Sequence, residues 1–166
     1  MKELALARHG HAEPFESEAG DFQRPLTRRG LLDVAAVGGR LSLTPWRPEL
    51  IIASSARRTQ QTARSLAQVF GIDETAVVTE PRLYQANFLQ WQKIVRELPA
   101  ANKILLVGHN PGVSDFAHWL APDTAVTGFT PGTIIRFDLA IADWTELAPA
   151  QVLRQIRAAA RQRPRD

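Results

Sequence analysis

Five apolar stretches of strand length alternate with helical patterns along this chain, and that alternation restricts the fold more than any other feature. The stretches "ELALAR" (3–8), "LIIAS" (50–54), "AVVTE" (76–80), "KILLVGH" (103–109) and "TIIRFDL" (133–139) are mostly continuous runs, as strands covered on both faces should be. Between them, Thr27 can cap "RRGLLDVAAVGGRLSL", and "RRTQQTARSLAQVF" runs from about residue 57 to Gly71. "FLQWQKIVREL" ends before Pro99, and Pro111 sits at the start of "NPGVSDFAHWLA". Capping threonine, terminal glycine and initial proline are helix punctuation. The expected fold is α/β: a doubly wound three-layer sandwich with a mostly parallel central sheet and helices on both faces. Residues 140–148 read as an edge strand or loop, followed from about residue 150 by a basic C-terminal helix or tail. With 166 residues and 45% hydrophobic content, and with no repeat or long linker, residues 1–166 are expected to form a single domain.

Charge narrows the partners. The net charge is +3, but residues 154–166 carry Arg154, Arg157, Arg161, Arg163 and Arg165 against Asp166 alone, which leaves 15 basic and 16 acidic groups in the rest. A near-neutral body with a basic end, and no zinc-finger spacing or aromatic RNA-binding motif, does not predict a nucleic-acid partner. The chain has no cysteine, so disulfides, thiolate metal sites and cysteine nucleophiles are excluded. No apolar run approaches 18 residues, and "MKELALARHG" is interrupted too early by Arg8 to act as a signal peptide. No membrane association is expected, and the expected location is the cytoplasm.

In doubly wound sheets, ligands bind beyond the carboxyl ends of the strands. Strand one ends in Arg8 and His9, the next in Ser54 and Ser55 followed by Arg57 and Arg58, and the fourth in His109. Packing alone does not require three strand ends to deliver guanidinium and imidazole groups to one edge. Phosphoryl transfer does call for such groups, because it is catalysed mainly by positioning and by donors aimed at the equatorial oxygens. Arginine stays protonated and can make two parallel bonds to phosphate, so Arg8 and Arg58 are the expected clamp. An unprotonated ring nitrogen of His9 can attack phosphorus if a backbone carbonyl holds the other nitrogen as a donor. Gly10, without Cβ, would let the chain turn and approach a phosphate closely. His109 is expected opposite His9, donating to phosphoryl oxygens when protonated. Two helix starts, at Asn110–Pro111 and at Ser54 or Ser55 with Arg57 and Arg58, would add positive dipole ends. His11 reads as a loop residue and His118 as a half-buried packing residue.

"RHG", "RPLTRRG", "SSARRTQQT" and "GHNPG" occur in that order across residues 4 to about 138. In order and separation they resemble the motifs of the histidine phosphatase superfamily, the phosphoglycerate mutase-like proteins. The short length and "RPLT" are most similar to the SixA-type phosphohistidine phosphatases. The resemblance implies a phosphohistidine intermediate on His9. It aligns Arg58, rather than Arg57, with the motif R-x-x-Q-T, leaving Arg57 towards solvent. The catalytic set is then His9, Arg8, Arg58 and His109, with Arg24 and Gln85 as further substrate-binding candidates; no metal and no cofactor are implied. Arg24 either leans towards the phosphate or ties down the 12–25 loop.

One departure from the family bears on substrate. Many members place a glutamate after the third strand to protonate the leaving group, whereas "EPRLYQANF" has Gln85 there; Glu80 and Glu13 are the substitutes within reach in sequence. Expelling an alkoxide, near the basicity of hydroxide with water at pKa about 15.7, is slow without an acid. Imidazole, with a reference pKa of about 6.5, leaves far more easily. The expected function is therefore hydrolysis of phosphohistidine on a protein, such as a phosphotransfer domain of a signalling relay or a phosphocarrier. A small-molecule phosphomonoesterase of the same mechanism is the alternative, and a catalytically silent phosphate-binding module is the rival from another class. A mutase fits less well, for want of the acid and of insertions. A short chain also leaves little material for a lid, which would keep the site open to a protein surface.

Overall fold

The computed structural model of the chain describes residues 1–15, 20–122 and 129–160. The apolar runs form β1 (Lys2–Arg8), β2 (Leu50–Ala53), β3 (Val77–Thr79), β4 (Lys103–Gly108) and β5 (Ile134–Leu139), and the helical patterns form α1 (Arg28–Ser42), α2 (Arg57–Phe70), α3 (Phe88–Arg96) and α4 (Gly112–Leu120). The punctuation acts as its chemistry requires. Thr27 Oγ1 accepts from the Gly30 amide at 2.9 Å, and α2 ends at Gly71 in the left-handed conformation (φ 65°), which costs glycine least. Asn87 and Gln90 close a reciprocal capping box at α3.

All described strands belong to one sheet, in the order β3-β2-β4-β1-β5-β6, where β6 is Val152–Ala158. The pairs β2–β3, β2–β4 and β1–β4 are parallel, while β5 runs antiparallel to both β1 and β6. Alternate residues of the central strands point to opposite layers. Leu4 and Leu6 join Leu106, Phe137, Trp91 and Phe116 on the α3/α4 face. Ala5 and Ala7 join Leu105, Val107, Val34 and Leu66 on the α1/α2 face. Burial on both faces explains why these strands read as unbroken apolar runs, and each fully buried Leu or Phe contributes about 1.5–3 kcal/mol. The architecture is the expected α/β three-layer sandwich.

The C-terminal segment departs from expectation. Residues 152–158 form a strand, not a helix, and pair with β5 from Ile134↔Ala158 to Leu139↔Val152. Leu, Arg, Gln and Ala favour helix intrinsically, but the open edge of β5 supplies a ladder of backbone partners, and that tertiary gain overrides propensity. Residues 140–148 are a connection with one 3-10 turn, Trp144–Glu146. Arg161, Arg163 and Arg165 lie outside the described residues. Among the described residues no helix is long and apolar enough to cross a membrane.

Candidate active site

The end of β1 carries Arg8 and then His9, and the latter is only 9% exposed. His9 Nδ1 lies 2.7 Å from the Gly10 carbonyl oxygen. A carbonyl can only accept, so Nδ1 carries the ring proton. Nε2 then presents its lone pair, and it accepts from Arg58 Nε at 3.3 Å. Burial pushes the His9 pKa down to about 4; the Gly10 carbonyl opposes this, and the charges of Arg58, Arg8 and Arg24 reinforce it. The ring is therefore neutral at physiological pH, with Nε2 unprotonated.

His109, just past β4, faces it at 5.3 Å between ring centroids. Its Nδ1 is 3.2 Å from the Arg58 Nη2, and its Nε2 is 2.8 Å from Ser54 Oγ. Guanidinium only donates, so Nδ1 accepts and Nε2–H points to Ser54. Burial, then the proximity of His9 and Arg58, lowers the His109 pKa to about 3. His109 is thus neutral in this arrangement. Donation to a phosphoryl group from Nδ1 requires a proton there, which an entering dianion would favour. Ser54 orients His109 rather than capping α2, whose N-cap residue is Ala56 without a side-chain cap bond.

Arg58 is 5% exposed and joins both imidazoles to a third group that sequence reasoning missed. Its Nη1 donates to the Asp21 carbonyl at 2.7 Å and its Nη2 to Asp21 Oδ2 at 3.0 Å. Asp21 also accepts from Arg24 Nη1 at 2.9 Å and from the Tyr84 hydroxyl at 3.0 Å. Partial burial alone would raise its pKa, but the bonds from Arg24, Tyr84 and Arg58 hold it at about 2. Asp21 begins a short 3-10 turn, Asp21–Gln23. The only sequence signal was the D-x-x-R spacing to Arg24. Arg24 fixes the loop through Asp21 and through the Glu13 carbonyl at 2.7 Å, and it also lines the cleft.

These groups line an open cleft of about 460 Å³, together with Gln85, Asn87 and Asn110. Gln85 is exposed and holds a positive φ of 54° between the 3-10 turn Pro81–Leu83 and α3, an uncommon conformation for a residue with a Cβ. Glu80 is engaged by Arg82, and neither Glu80 nor Glu13 lines the cleft. Arg57 is exposed, as are His11, which meets Thr27 Oγ1 at 3.0 Å, and His118, which is not the half-buried packing residue expected. Arg8 donates from Nη1 to the Phe129 carbonyl at 3.1 Å, yet its Nε is buried without an acceptor. A buried unpaired guanidinium donor beside a cleft fits an anionic ligand.

Gly10 has a different reason from the one expected. A Cβ there would come within 2.7 Å of Val34 Cγ2 and 3.0 Å of the Gly30 carbonyl oxygen, and one on Gly30 would collide with the His11 carbonyl. The two glycines let the end of β1 lie directly against the start of α1. Positioning of His9 thus rests on close backbone packing rather than on a glycine facing the ligand.

Residues 4–110 match the histidine phosphatase superfamily (branch 1). The chain belongs to that superfamily. Its relatives include an uncharacterised chloroplast protein of Arabidopsis thaliana, 33% identical over 72% of this chain and 59% of that protein, so the chain spans less than two thirds of that relative's length. Among solved structures, one provisionally named as the phosphohistidine phosphatase SixA of Nakamurella multipartitia superposes with a TM-score of 0.81, at 26% identity over 96% of each chain. The protein histidine phosphatase SixA complexed with tungstate superposes with a TM-score of 0.74, at 19% identity over 95% of this chain and 96% of that one. In fold, the chain is similar to these SixA structures.

Proposed function

We propose that this member of the superfamily is a phosphatase that hydrolyses phosphohistidine on a protein through a phospho-His9 intermediate. The observation that carries the reading is the state of His9: Nδ1–H is fixed on the Gly10 carbonyl, so Nε2 is an unprotonated nucleophile beside the Arg58 fork. In the first step Nε2 attacks phosphorus in line with the departing nitrogen, while Arg8 and Arg58 hold the equatorial oxygens and His109, once protonated at Nδ1, donates a further bond. In the second step water displaces the phosphoryl group from His9 and phosphate departs. Arginine charge takes the role that a metal ion plays in other phosphatases, so turnover should survive a strong chelator.

Substrate class follows from what surrounds the leaving group. Gln85 offers an amide, and Asp21, held at about 2, is a carboxylate rather than an acid. With neither of these two groups able to give a proton to the leaving group, the site suits imidazole, a far weaker base than an alkoxide. The open cleft also suits a side chain presented on a protein surface, and a phosphotransfer domain or phosphocarrier is the partner class.

The test is a side-by-side assay of a phosphohistidyl peptide and an alkyl phosphate. The wild type should prefer the peptide in kcat/KM, and Gln85→Glu should narrow that preference, by up to about 10² if the new carboxyl is well placed. Equal wild-type activity on the two substrates contradicts the proposal.

A further inference from the structure

A carboxylate is an odd lining for a cleft that binds a phosphoryl dianion. Asp21 Oδ2 and His9 Nε2 are bound by two nitrogens of the same planar guanidinium, Nη2 and Nε of Arg58. One guanidinium therefore links the carboxylate to the nucleophilic atom, Asp21 on its Nη1/Nη2 edge and His9 on Nε, and the carboxylate's like charge disfavours an anionic ligand. Loop anchoring alone does not require that placement, since Arg24 already ties the loop to the Glu13 carbonyl and the Asp21 backbone carbonyl already binds Arg58. The Asp21 side chain is 30% exposed and accepts three bonds, from Arg24, Tyr84 and Arg58. A carboxylate has about four acceptor sites; Oδ2 already accepts from Arg58 and Tyr84 and Oδ1 from Arg24, so the open site is on Oδ1, and one on Oδ2 opens if Arg58 Nη2 turns to a phosphoryl oxygen.

Resting on the phosphohistidine reading above, we propose that Asp21 is a specificity-determining residue whose carboxylate accepts the distal ring N–H of the substrate's phosphoimidazolium. The bond selects a cationic leaving ring and holds it in line with His9. In the transfer the substrate N–P bond breaks and its electron pair stays on the leaving nitrogen, as the His9 Nε2–P bond forms. The substrate's distal proton stays in place, so the ring departs as neutral imidazole. The positive charge passes to the phospho-His9 ring, whose Nδ1–H remains on the Gly10 carbonyl. No proton is transferred, which removes the need for the missing acid. Substrates that carry further anionic groups, such as bisphosphates or phosphorylated carboxylic acids, meet the carboxylate as repulsion instead.

The experiment compares wild type, Asp21→Asn and Asp21→Glu on a phosphohistidyl peptide and on p-nitrophenyl phosphate, whose leaving group has no N–H to offer. A charge-assisted bond of this kind predicts that Asp21→Asn lowers the peptide-to-aryl ratio of kcat/KM about tenfold. Asp21→Glu should restore part of that ratio, and inorganic phosphate should inhibit Asp21→Asn at least as well as it inhibits the wild type. An equal loss on both substrates, or a loss of both activities together with phosphate inhibition, would mark Asp21 as a loop anchor and overturn this inference alone. A wild type that turns over p-nitrophenyl phosphate but not the phosphohistidyl peptide would overturn the proposed function along with it.

Discussion

Arg58 and Arg136 are equally buried, each 5% exposed, yet they sit in opposite chemical settings on the two sides of β1. Arg136, on the antiparallel side, lies between Asp138 at 3.2 Å and Glu3 at 3.8 Å, with its guanidinium 5.8 Å from the centre of the Trp46 ring. Two carboxylates, which also pair with the more exposed Arg154 and Lys103, and an aromatic face answer its charge from within the fold. Arg58, beyond the parallel strands, is matched by two neutral imidazoles and by one carboxylate that it shares with Arg24 and Tyr84. Its charge is thus only partly answered by the protein, and it stands at a cleft. The difference teaches that burial of an arginine does not distinguish structure from function; what distinguishes them is whether the surrounding charge is already balanced.

The largest effect that would break this comparison lies beside Arg58. His9→Ala should abolish turnover while leaving the thermal midpoint nearly unchanged, because the strand-end ring adds little to the core; residual turnover near wild type would remove the basis for the contrast. Next, Arg58→Ala should cost about 2–4 kcal/mol of transition-state stabilisation, as for one preorganised oxyanion donor. Arg57→Ala, at an exposed position, should cost far less, and equal losses in kcat/KM would show the motif misaligned by one residue.

A pH titration sharpens the same contrast. The folded pKa values of His9 and His109, about 4 and about 3, lie below the unfolded value of about 6.5. As pH falls through 6.5 the unfolded chain takes up protons that the folded site refuses, so stability drops. Chemical denaturation should show a loss on the order of 3 kcal/mol between pH 6.5 and 4.5, and a His9→Ala/His109→Ala variant should show a flatter profile. Arg136→Met should leave both that profile and kcat/KM as in the wild type. Its cost should be about 2 kcal/mol of unfolding free energy, less than for a fully buried pair because Asp138 and Glu3 keep some exposure to water.

Much of this was legible in the sequence, for identifiable reasons. β1 and β4 are buried on both faces, so their periodicity is simple; the strand-end rule brought Arg8, His9 and His109 to one edge with Arg57 and Arg58, and the resemblance to the R-x-x-Q-T motif chose Arg58. β6 was misread because "VLRQIRA" is an edge strand with weak alternation, and the sequence spaces arginines at 154, 157 and 161 as a helix would. Its conformation is decided by the open edge of β5, which no local pattern reports. Asp21 was missed because it lies on a loop between elements, and its place depends on Arg58 and Tyr84, which are 37 and 63 residues away in the chain. Gly10 was noticed for the wrong reason, since the close approach of α1 becomes visible only when Gly30 and Val34 are seen against it.

The most direct test of the central claim is to trap the phosphorylated protein by rapid quenching after mixing with labelled phosphohistidyl peptide, and to map the label. One acid-labile, alkali-stable phosphoryl group per chain is expected on His9, absent in His9→Ala. Acid-stable label on a serine or threonine, or full turnover with no labelled protein at any time, would contradict it.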